Sequence, residues 1–272
     1  MDNLTNSIDQ VVEENALPHE WSKEVLAELK DLGVKNNKRD DLRKIPFVTI
    51  DGKDAKDFDD AVFCEANKDG FVLQVAIADV AEIVEPSSSI DKEALSRGTS
   101  IYFPKRVIPM LPEEISNNLC SLIPNEDRNV LVCKMNFTQE GEINSYDFSE
   151  SIINSHKRFT YNEVEFLKQN KDTNLSADIL NSINALEKLT KQLLNNRSKR
   201  YALEIESSEP TLSFGNEGNI SEIFIPKRLF AHQMIEEAMI SANICAAKFI
   251  KKHLGFGCLL YTSDAADEFM GV

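Results

Sequence analysis

The chain lacks the cysteine spacing that marks a zinc site or a disulfide framework. Its 272 residues include five cysteines, and none stands at zinc-ligand spacing from another cysteine or from a histidine. The five cysteines lie in mostly apolar stretches, at positions 64, 120, 133, 245 and 258. An odd number of scattered cysteines in such surroundings predicts reduced core thiols in a cytoplasmic protein.

Long hydrophobic runs are also absent. No segment approaches the roughly 18 consecutive apolar residues that suggest a membrane-spanning helix. The first ten residues are polar and acidic, so they do not resemble a signal peptide. We therefore expect a soluble, cytoplasmic protein that has no membrane partner. A hydrophobic content of 42% is sufficient for a sizeable core, as one large domain or two small ones.

Basic residues are outnumbered by acidic ones. Lysine and arginine total 30 against 45 aspartates and glutamates, which gives a formal net charge of −15. This balance argues against binding a phosphate backbone through overall charge. Nucleic acid is not excluded, because local basic patches or bound metal ions can dominate where a strand lies. The segments Lys105-Arg106 and His156-Lys157-Arg158 and the basic cluster Arg197-Ser-Lys-Arg200 are candidate phosphate contacts, with ordinary solvated charge as the alternative.

Aspartate, by contrast, is concentrated in one short segment. Five aspartates fall within ten residues, namely Asp51, Asp54, Asp57, Asp59 and Asp60. Apolar residues at 45–48 and 61–64 flank them, so we expect the carboxylates to be partly buried, where they repel one another unless protons or cations compensate. A dense set of oxygen ligands suits Mg²⁺ or Mn²⁺ better than zinc. The segment predicts a divalent-metal site for phosphoryl chemistry, with an acidic surface turn as the alternative.

The spacing of these aspartates refines the prediction. Asp57 and Asp59 share one face of an extended segment, and a loop that carries Asp51 could fold back over them. Two metal ions about 3.5–4 Å apart would stabilise the attacking and leaving oxygens of a displacement at phosphorus. An EF-hand is excluded, because positions six and twelve counted from Asp51 are Lys56 and Val62 rather than glycine and glutamate.

The pattern of apolar residues and turns predicts an α+β fold. We expect strands near residues 47–50, 61–64, 71–78, 129–137 and 143–156, a hairpin over 211–225, and helices over 161–197 and 229–252. The dipeptide Asp69-Gly70 marks a hairpin turn between the second and third strands. Residues 1–44 are predicted to form a helical lead-in that ends in an exposed polar connector at 35–44.

Several sequence blocks, in order, resemble the signature of one nuclease family. They occupy residues 49–61, 75–80, 97–104, 106–114, 116–122, 159–164 and 235–243. In this order the blocks are similar to the catalytic (RNB) domain of the ribonuclease II/ribonuclease R family, over roughly residues 14–257. The form of the first block and the run Gly98-Thr-Ser-Ile-Tyr-Phe-Pro104 resemble ribonuclease R more than ribonuclease II.

The resemblance implies a fold and an activity. The fold is a mixed, largely antiparallel sheet with flanking helices, with an RNB-type catalytic domain over residues 45–257. The activity is processive 3′→5′ exoribonucleolytic hydrolysis of single-stranded RNA ends to nucleoside 5′-monophosphates, with Mg²⁺ as the cofactor and Mn²⁺ as a substitute. An inactive RNA-binding protein that retains the fold is the alternative.

The resemblance also assigns roles to individual residues. The four catalytic, metal-binding aspartates of the family match Asp51, Asp57, Asp59 and Asp60, which leaves Asp54 as a surface residue. Tyr161 matches a tyrosine that stacks on the terminal bases, and Tyr102 matches an aromatic residue that contacts the RNA end. Glu236 matches a glutamate near the terminal nucleotide, with solvation at the protein surface as the alternative. Ile205 stands where the family commonly has a second stacking phenylalanine.

The chain also departs from the family pattern. Cold-shock domains before the catalytic domain and an S1 domain after it have no counterpart here. Residues 258–272 do not continue the pattern, and the second half of the catalytic domain, with a phosphate-neutralising arginine, is not represented. We therefore expect a truncated fragment that carries the metal-binding half of the site and has impaired activity.

Overall fold

The structure, a computed structural model, describes residues 3–33, 38–169, 175–199, 210–215 and 219–256. Its helices are α1 (Asn3–Glu14), α2 (Lys23–Glu28), α3 (Val80–Ile83), α4 (Ser89–Arg97), α5 (Tyr161–Gln169), α6 (Ala177–Lys199) and α7 (Phe230–Leu254). Its strands are β1 (Asp40–Asp41), β2 (Val48–Asp51), β3 (Asp60–Ala66), β4 (Gly70–Ala78), β5 (Ile101–Phe103), β6 (Arg106–Ile108), β7 (Asp127–Thr138), β8 (Ile143–Asn154), β9 (Lys157–Thr160), β10 (Thr211–Phe214) and β11 (Ile220–Phe224).

In the described part of the chain, seven strands form one mixed sheet in the order β1-β8-β7-β4-β3-β2-β9. The pairs β1–β8 and β2–β9 are parallel, and the other neighbours are antiparallel. Two separate hairpins, β5–β6 and β10–β11, lie outside this sheet. The predicted α+β class with a largely antiparallel sheet and flanking helices is confirmed.

The centre of the sheet is β4, whose nearly continuous apolar sequence is buried along almost its whole length. Its alternate side chains enter two cores. Leu73 and Val75 pack against α5, α6 and α7 on one face, while Ala76 and Ala78 pack against α2, α3 and α4 on the other. The catalytic residues predicted from the sequence therefore lie on a sheet that is covered on both faces.

The hairpin between β3 and β4 depends on one glycine. Gly70 has a φ of +149°, and a Cβ atom there would lie 2.0 Å from the carbonyl oxygen of Phe137 on β7. Only glycine accommodates both this backbone angle and this close approach of the neighbouring strand. The turn predicted at Asp69-Gly70 is thus confirmed, and the structure adds the reason for the glycine.

The lead-in is more closely integrated than the sequence indicated. Helix α1 packs Ile8 and Val12 against Ile108 of the β5–β6 hairpin. Helix α2 joins the same core as α4, and the guanidinium of Arg97 lies 3.6 Å from the ring centroid of Trp21. The lead-in therefore packs against the rest of the molecule; the predicted boundary between residues 44 and 45 stays a prediction.

The connector predicted at residues 35–44 is exposed over most of its described part, residues 38–44, with Arg39 as the main exception. Asp40 and Asp41 form β1 on the edge of the sheet, and the side chain of Arg39 is only 5% exposed. Its Nη2 atom lies 2.6 Å from Asp79 Oδ2 and 3.1 Å from Glu82 Oε2. The polar composition of the segment did not indicate this buried ion-pair network, because both partners of Arg39 lie about forty residues further along the chain.

Three further expectations concern residues outside the described ranges: Ile205, Arg200 of the basic cluster and the tail 258–272. Within the described residues, no helix combines the length and the apolar character that a membrane crossing requires.

Candidate active site

The predicted site lies where the ends of several strands meet at one edge of the main sheet. Strand β2 ends at Asp51, which is paired with Thr160 at the end of the parallel strand β9. Strand β3 runs the opposite way and begins at Asp60, which is paired with Ile77 near the end of β4. Asp51 and Asp60 therefore lie at the same edge although the chain between them leaves the sheet.

The acidic loop between β2 and β3 is anchored on its return side. The Ser121 hydroxyl accepts a hydrogen bond from the Phe58 N–H (3.0 Å) and donates one to the Lys56 carbonyl (2.9 Å). The Ala78 N–H, at the end of β4, donates to the Asp59 carbonyl. These bonds fix the backbone that carries Asp57, Asp59 and Asp60, so the side chains project from a defined support.

The carboxylates of this loop repel one another. Part of the Asp59 side chain remains accessible to solvent. Its pKa is nevertheless raised from the ordinary 3.8 to about 6, mainly by desolvation and secondly by the negative charge of Asp57. Asp51, Asp57 and Asp60 are half-buried, and Asp54, like Asp59, is exposed. A raised carboxyl pKa is the electrostatic mark of a site that gains free energy when a cation binds.

The donor chemistry fits a hard divalent cation, but the side chains are not gathered around one. Among the described residues, no group of three or more His, Cys, Asp or Glu side chains is arranged to hold a metal ion. The acidic residues supply only oxygen donors, which is the ligand set that Mg²⁺ and Mn²⁺ prefer. The assignment of the four aspartates as metal ligands therefore stays a prediction.

Tyr102 lies close to the acidic loop. It occupies the middle of β5, and 40% of its surface is exposed. Burial and then the Asp57 carboxylate raise the pKa of the Tyr102 hydroxyl, and Asp59 adds to the increase. Its side chain is thus partly accessible, and its hydroxyl lies within the electrostatic influence of two of the predicted catalytic carboxylates.

Tyr161 lies beside Asp51 because β9 ends and α5 begins at this point. The Glu163 N–H donates to the Thr160 hydroxyl while the Glu163 carboxylate accepts from the Thr160 N–H, which is a capping box. The half-buried ring of Tyr161 stacks on the imidazole of His232, with ring centroids 3.9 Å apart and an interplanar angle of 22°.

His232 was not among the site residues predicted from the sequence. It lies in the first turn of α7, where its Nδ1 atom accepts a hydrogen bond from the Leu229 N–H. This bond fixes the imidazole in the orientation in which it supports Tyr161. Tyr161 and His232 are 71 positions apart in the sequence. Their contact could have been anticipated only from the fact that each lies near the start of a predicted helix.

Glu236 is buried rather than solvated at the surface, which was the alternative for this residue. It is 7% exposed, accepts a hydrogen bond from Arg197 Nη1 at 3.0 Å and forms a short ion pair with Arg228. Arg197 also contacts Glu237 at 3.0 Å. The prediction that Glu236 lies near a bound nucleotide remains untested, whereas surface solvation of this residue is wrong.

Comparison with known proteins gives the family of the chain. A family model described as the RNB domain matches residues 39–268. Ribonuclease R of Vibrio parahaemolyticus is 43% identical over 244 residues, which is 87% of this chain and 29% of that protein. The chain thus spans about a third of the length of the curated relatives it matches.

Solved structures show the same fold. Mycoplasma genitalium RNase R in complex with ribose methylated single-stranded RNA matches with a TM-score of 0.88 and 32% identity, covering 93% of this chain and 40% of that one. Yeast Ssd1, described as a pseudonuclease, shares the fold alone, with a TM-score of 0.62 and 17% identity over 88% of this chain and 28% of that one. Since the family model covers most of the sequence, the chain belongs to the RNB-domain family.

Proposed function

We propose that the chain carries the metal-binding half of an exoribonuclease that hydrolyses RNA from its 3′ end to nucleoside 5′-monophosphates. The observation that carries the proposal is the meeting of Asp51, Asp60 and Tyr161 at one sheet edge, with Tyr102 beside the same acidic loop. A nuclease that accepts any sequence needs carboxylates that bind a metal ion and, close to them, aromatic rings that stack on bases.

Asp51, Asp57, Asp59 and Asp60 would hold the divalent cation. RNB exoribonucleases depend in general on such an ion, and the oxygen donors favour Mg²⁺, with Mn²⁺ as a substitute. The bound ion supplies charge neutralisation at the scissile phosphate. The chain's own contribution is the anchored backbone of the acidic loop, which keeps the carboxylates close despite their mutual repulsion.

Tyr161 and Tyr102 would bind the single-stranded 3′ end by stacking. Every base presents a π face, so stacking, worth about 1–3 kcal/mol per base, tolerates any sequence. The similarity to an RNase R solved with single-stranded RNA supports this partner. The net charge of −15 is consistent with recognition by stacking and metal contacts rather than by overall attraction. We place the protein in the cytoplasm, where the cysteine pattern fits reduced thiols.

The alternative is an RNA-binding protein that keeps the RNB fold without turnover. Ssd1, described as a pseudonuclease, shares this fold. In addition, the described residues form no ready cluster of three metal ligands. Binding of RNA without cleavage distinguishes this alternative from the proposed enzyme.

The test uses a 5′-labelled, single-stranded RNA with and without Mg²⁺. We expect slow shortening from the 3′ end and release of nucleoside 5′-monophosphates. Asp59→Asn should abolish shortening while RNA binding persists, and the matched control Asp54→Asn, a change in the same loop outside the predicted set, should behave as wild type. Shortening that survives Asp59→Asn would contradict the proposed site, and binding without any shortening would favour the alternative.

A further inference from the structure

Arg158, which the sequence suggested as a phosphate contact, is directed into the acidic loop instead. It lies on β9, opposite Thr49 of β2 in the parallel register. Its Nη2 atom donates hydrogen bonds to the carbonyl oxygens of Gly52 (2.7 Å) and Lys53 (2.8 Å). Both acceptors belong to the limb of the loop that leaves β2, directly after Asp51.

The same guanidinium reaches the returning limb. It lies over the Phe58 ring, 5.3 Å from the ring centroid, and Phe58 stands between Asp57 and Asp59. The Arg158 Nε atom is buried and makes no hydrogen bond among the described residues. Arg158 is thus enclosed by the loop and contacts both of its limbs, which leaves little of it for a phosphate.

These contacts link the loop segments that follow Asp51 and that carry Asp57 and Asp59. Asp51 belongs to the outgoing limb, while Asp57, Asp59 and Asp60 belong to the returning limb. The returning limb is separately anchored to Ser121. On the outgoing limb, the Arg158 bonds are the contacts that hold the backbone next to Asp51 in place.

We propose that Arg158 is a positioning residue of the metal site, which fixes the loop so that Asp51 and the Asp57–Asp60 segment act on the same ion. This inference rests on the proposed function. Arginine suits the task because its planar, permanently charged guanidinium donates to two carbonyls and lies over an aromatic ring at once. A lysine ammonium at this position reproduces the charge but not the planar contact.

The first experiment reads the loop directly, by hydrogen exchange of the backbone amides of the wild-type chain and of Arg158→Met. The Ala55 N–H donates to the Gly52 carbonyl, so its exchange reports the outgoing limb, and the Phe58 N–H reports the returning limb. We expect the Ala55 amide to exchange about tenfold faster in Arg158→Met. The control Lys157→Met, an exposed neighbour on the same strand, should leave both rates unchanged. An unchanged Ala55 rate in Arg158→Met would overturn the inference.

The second experiment measures Mn²⁺ binding by calorimetry and by the paramagnetic resonance of free Mn²⁺. We expect the Kd for Mn²⁺ to rise about 10–100-fold in Arg158→Met, as for other residues that orient metal ligands. Metal-free RNA affinity, measured by anisotropy, should not change, because Tyr102 and Tyr161 are left intact. A general loss of structure would lower both affinities together and would overturn the specific role.

Arg158→Lys keeps the inference testable should Arg158→Met unfold. Arg158→Lys should have the wild-type circular dichroism spectrum and a Kd for Mn²⁺ between those of the wild-type chain and Arg158→Met. If Arg158→Lys and Arg158→Met both bind Mn²⁺ with the wild-type Kd, the role of Arg158 is overturned while the proposed metal site stands. If the wild-type chain takes up no Mn²⁺, the proposed metal site fails together with this role for Arg158. The two failures are therefore distinguishable.

Discussion

The ionised aspartates of the acidic loop lower the stability of the metal-free fold, and Asp59 shows this effect in its pKa. Asp59 has a folded pKa of about 6 against an ordinary value of 3.8. Between these values the folded chain binds more protons than the unfolded chain, so the free energy of unfolding rises as the pH falls from 6 towards 4. Above pH 6 the full electrostatic penalty of the ionised Asp59 is present.

Asp59→Asn should therefore stabilise the metal-free chain at pH 7.5. Solvent screens this accessible carboxylate, so we expect a gain of about 1 kcal/mol or less in the free energy of unfolding. Urea denaturation should show that the gain shrinks as the pH is lowered to 4, while Asp54→Asn has no effect at either pH. Destabilisation by Asp59→Asn in the absence of metal would contradict the repulsion described for this loop.

Glu236 gives a second prediction at the scale of single residues. Its carboxylate is buried between Arg197 and Arg228, so Glu236→Ala removes one partner of a buried network. Loss of a buried partner costs about 3–5 kcal/mol, and we expect about 2 kcal/mol here because Arg197 retains Glu237 and Arg228 is half exposed. Chemical denaturation measures the change; Glu187→Ala, which removes a surface pair with Lys191, should cost below about 1 kcal/mol. Equal costs would contradict the network.

At the scale of elements, α1 supports the hairpin that presents Tyr102. Val12 is 2% exposed and packs near Ile108, while the adjacent Val11 is 41% exposed. Val12→Asp places a charge in this small core and should cost about 2–3 kcal/mol. Because the β5–β6 hairpin then loses its support, affinity for single-stranded RNA should fall as well.

Val11→Asp is the matched control for this prediction, since the same charge then points to solvent. Thermal unfolding and RNA anisotropy of the two variants separate the two positions. If Val12→Asp weakens the fold but leaves RNA affinity intact, α1 stabilises the molecule without positioning Tyr102.

The elements also show which parts of the fold could be predicted. The β3–β4 hairpin followed from local signals, namely two apolar runs and the Asp69-Gly70 turn between them. The parallel pairing of β9 with β2 did not, because it joins residues more than a hundred positions apart and no local pattern encodes it. That pairing brings Tyr161 beside Asp51. The sequence therefore suggested which residues form the candidate site, but not how the fold brings them together.

Buried charges were the least predictable feature for the same reason. Arg39 stands in a polar segment and Glu236 in an apolar helix, and each is buried against a charged partner about forty residues away in the chain. Arg158 looked like a free cation beside His156 and Lys157, yet its hydrogen bonds go to loop carbonyls more than a hundred residues earlier. Sequence patterns report how polar a residue is, whereas its partner is set by topology.

At the scale of the whole molecule, the net charge of −15 predicts an unusual salt response. Proteins that bind nucleic acid through many phosphates lose affinity steeply as salt increases. If RNA is recognised by stacking, its affinity should depend only weakly on salt. We expect a plot of the logarithm of the association constant against the logarithm of the salt concentration to have a slope between 0 and about −2. Fluorescence anisotropy between 50 and about 200 mM salt measures it.

Tyr161→Leu tests the source of that affinity. We expect a loss of about 1–3 kcal/mol in RNA binding with an unchanged salt slope, because the variant removes a stacking surface and no charge. A steep slope in the wild-type chain, or a slope altered by Tyr161→Leu, would indicate recognition through phosphates instead.

The central claim is that the acidic loop gathers its carboxylates around a divalent ion. The most direct test is a calorimetric titration of Mg²⁺ into the wild-type chain and into a variant that carries Asp51→Asn, Asp57→Asn, Asp59→Asn and Asp60→Asn. We predict saturable uptake by the wild-type chain that the fourfold variant lacks. Superimposable titrations of the two proteins would contradict the account.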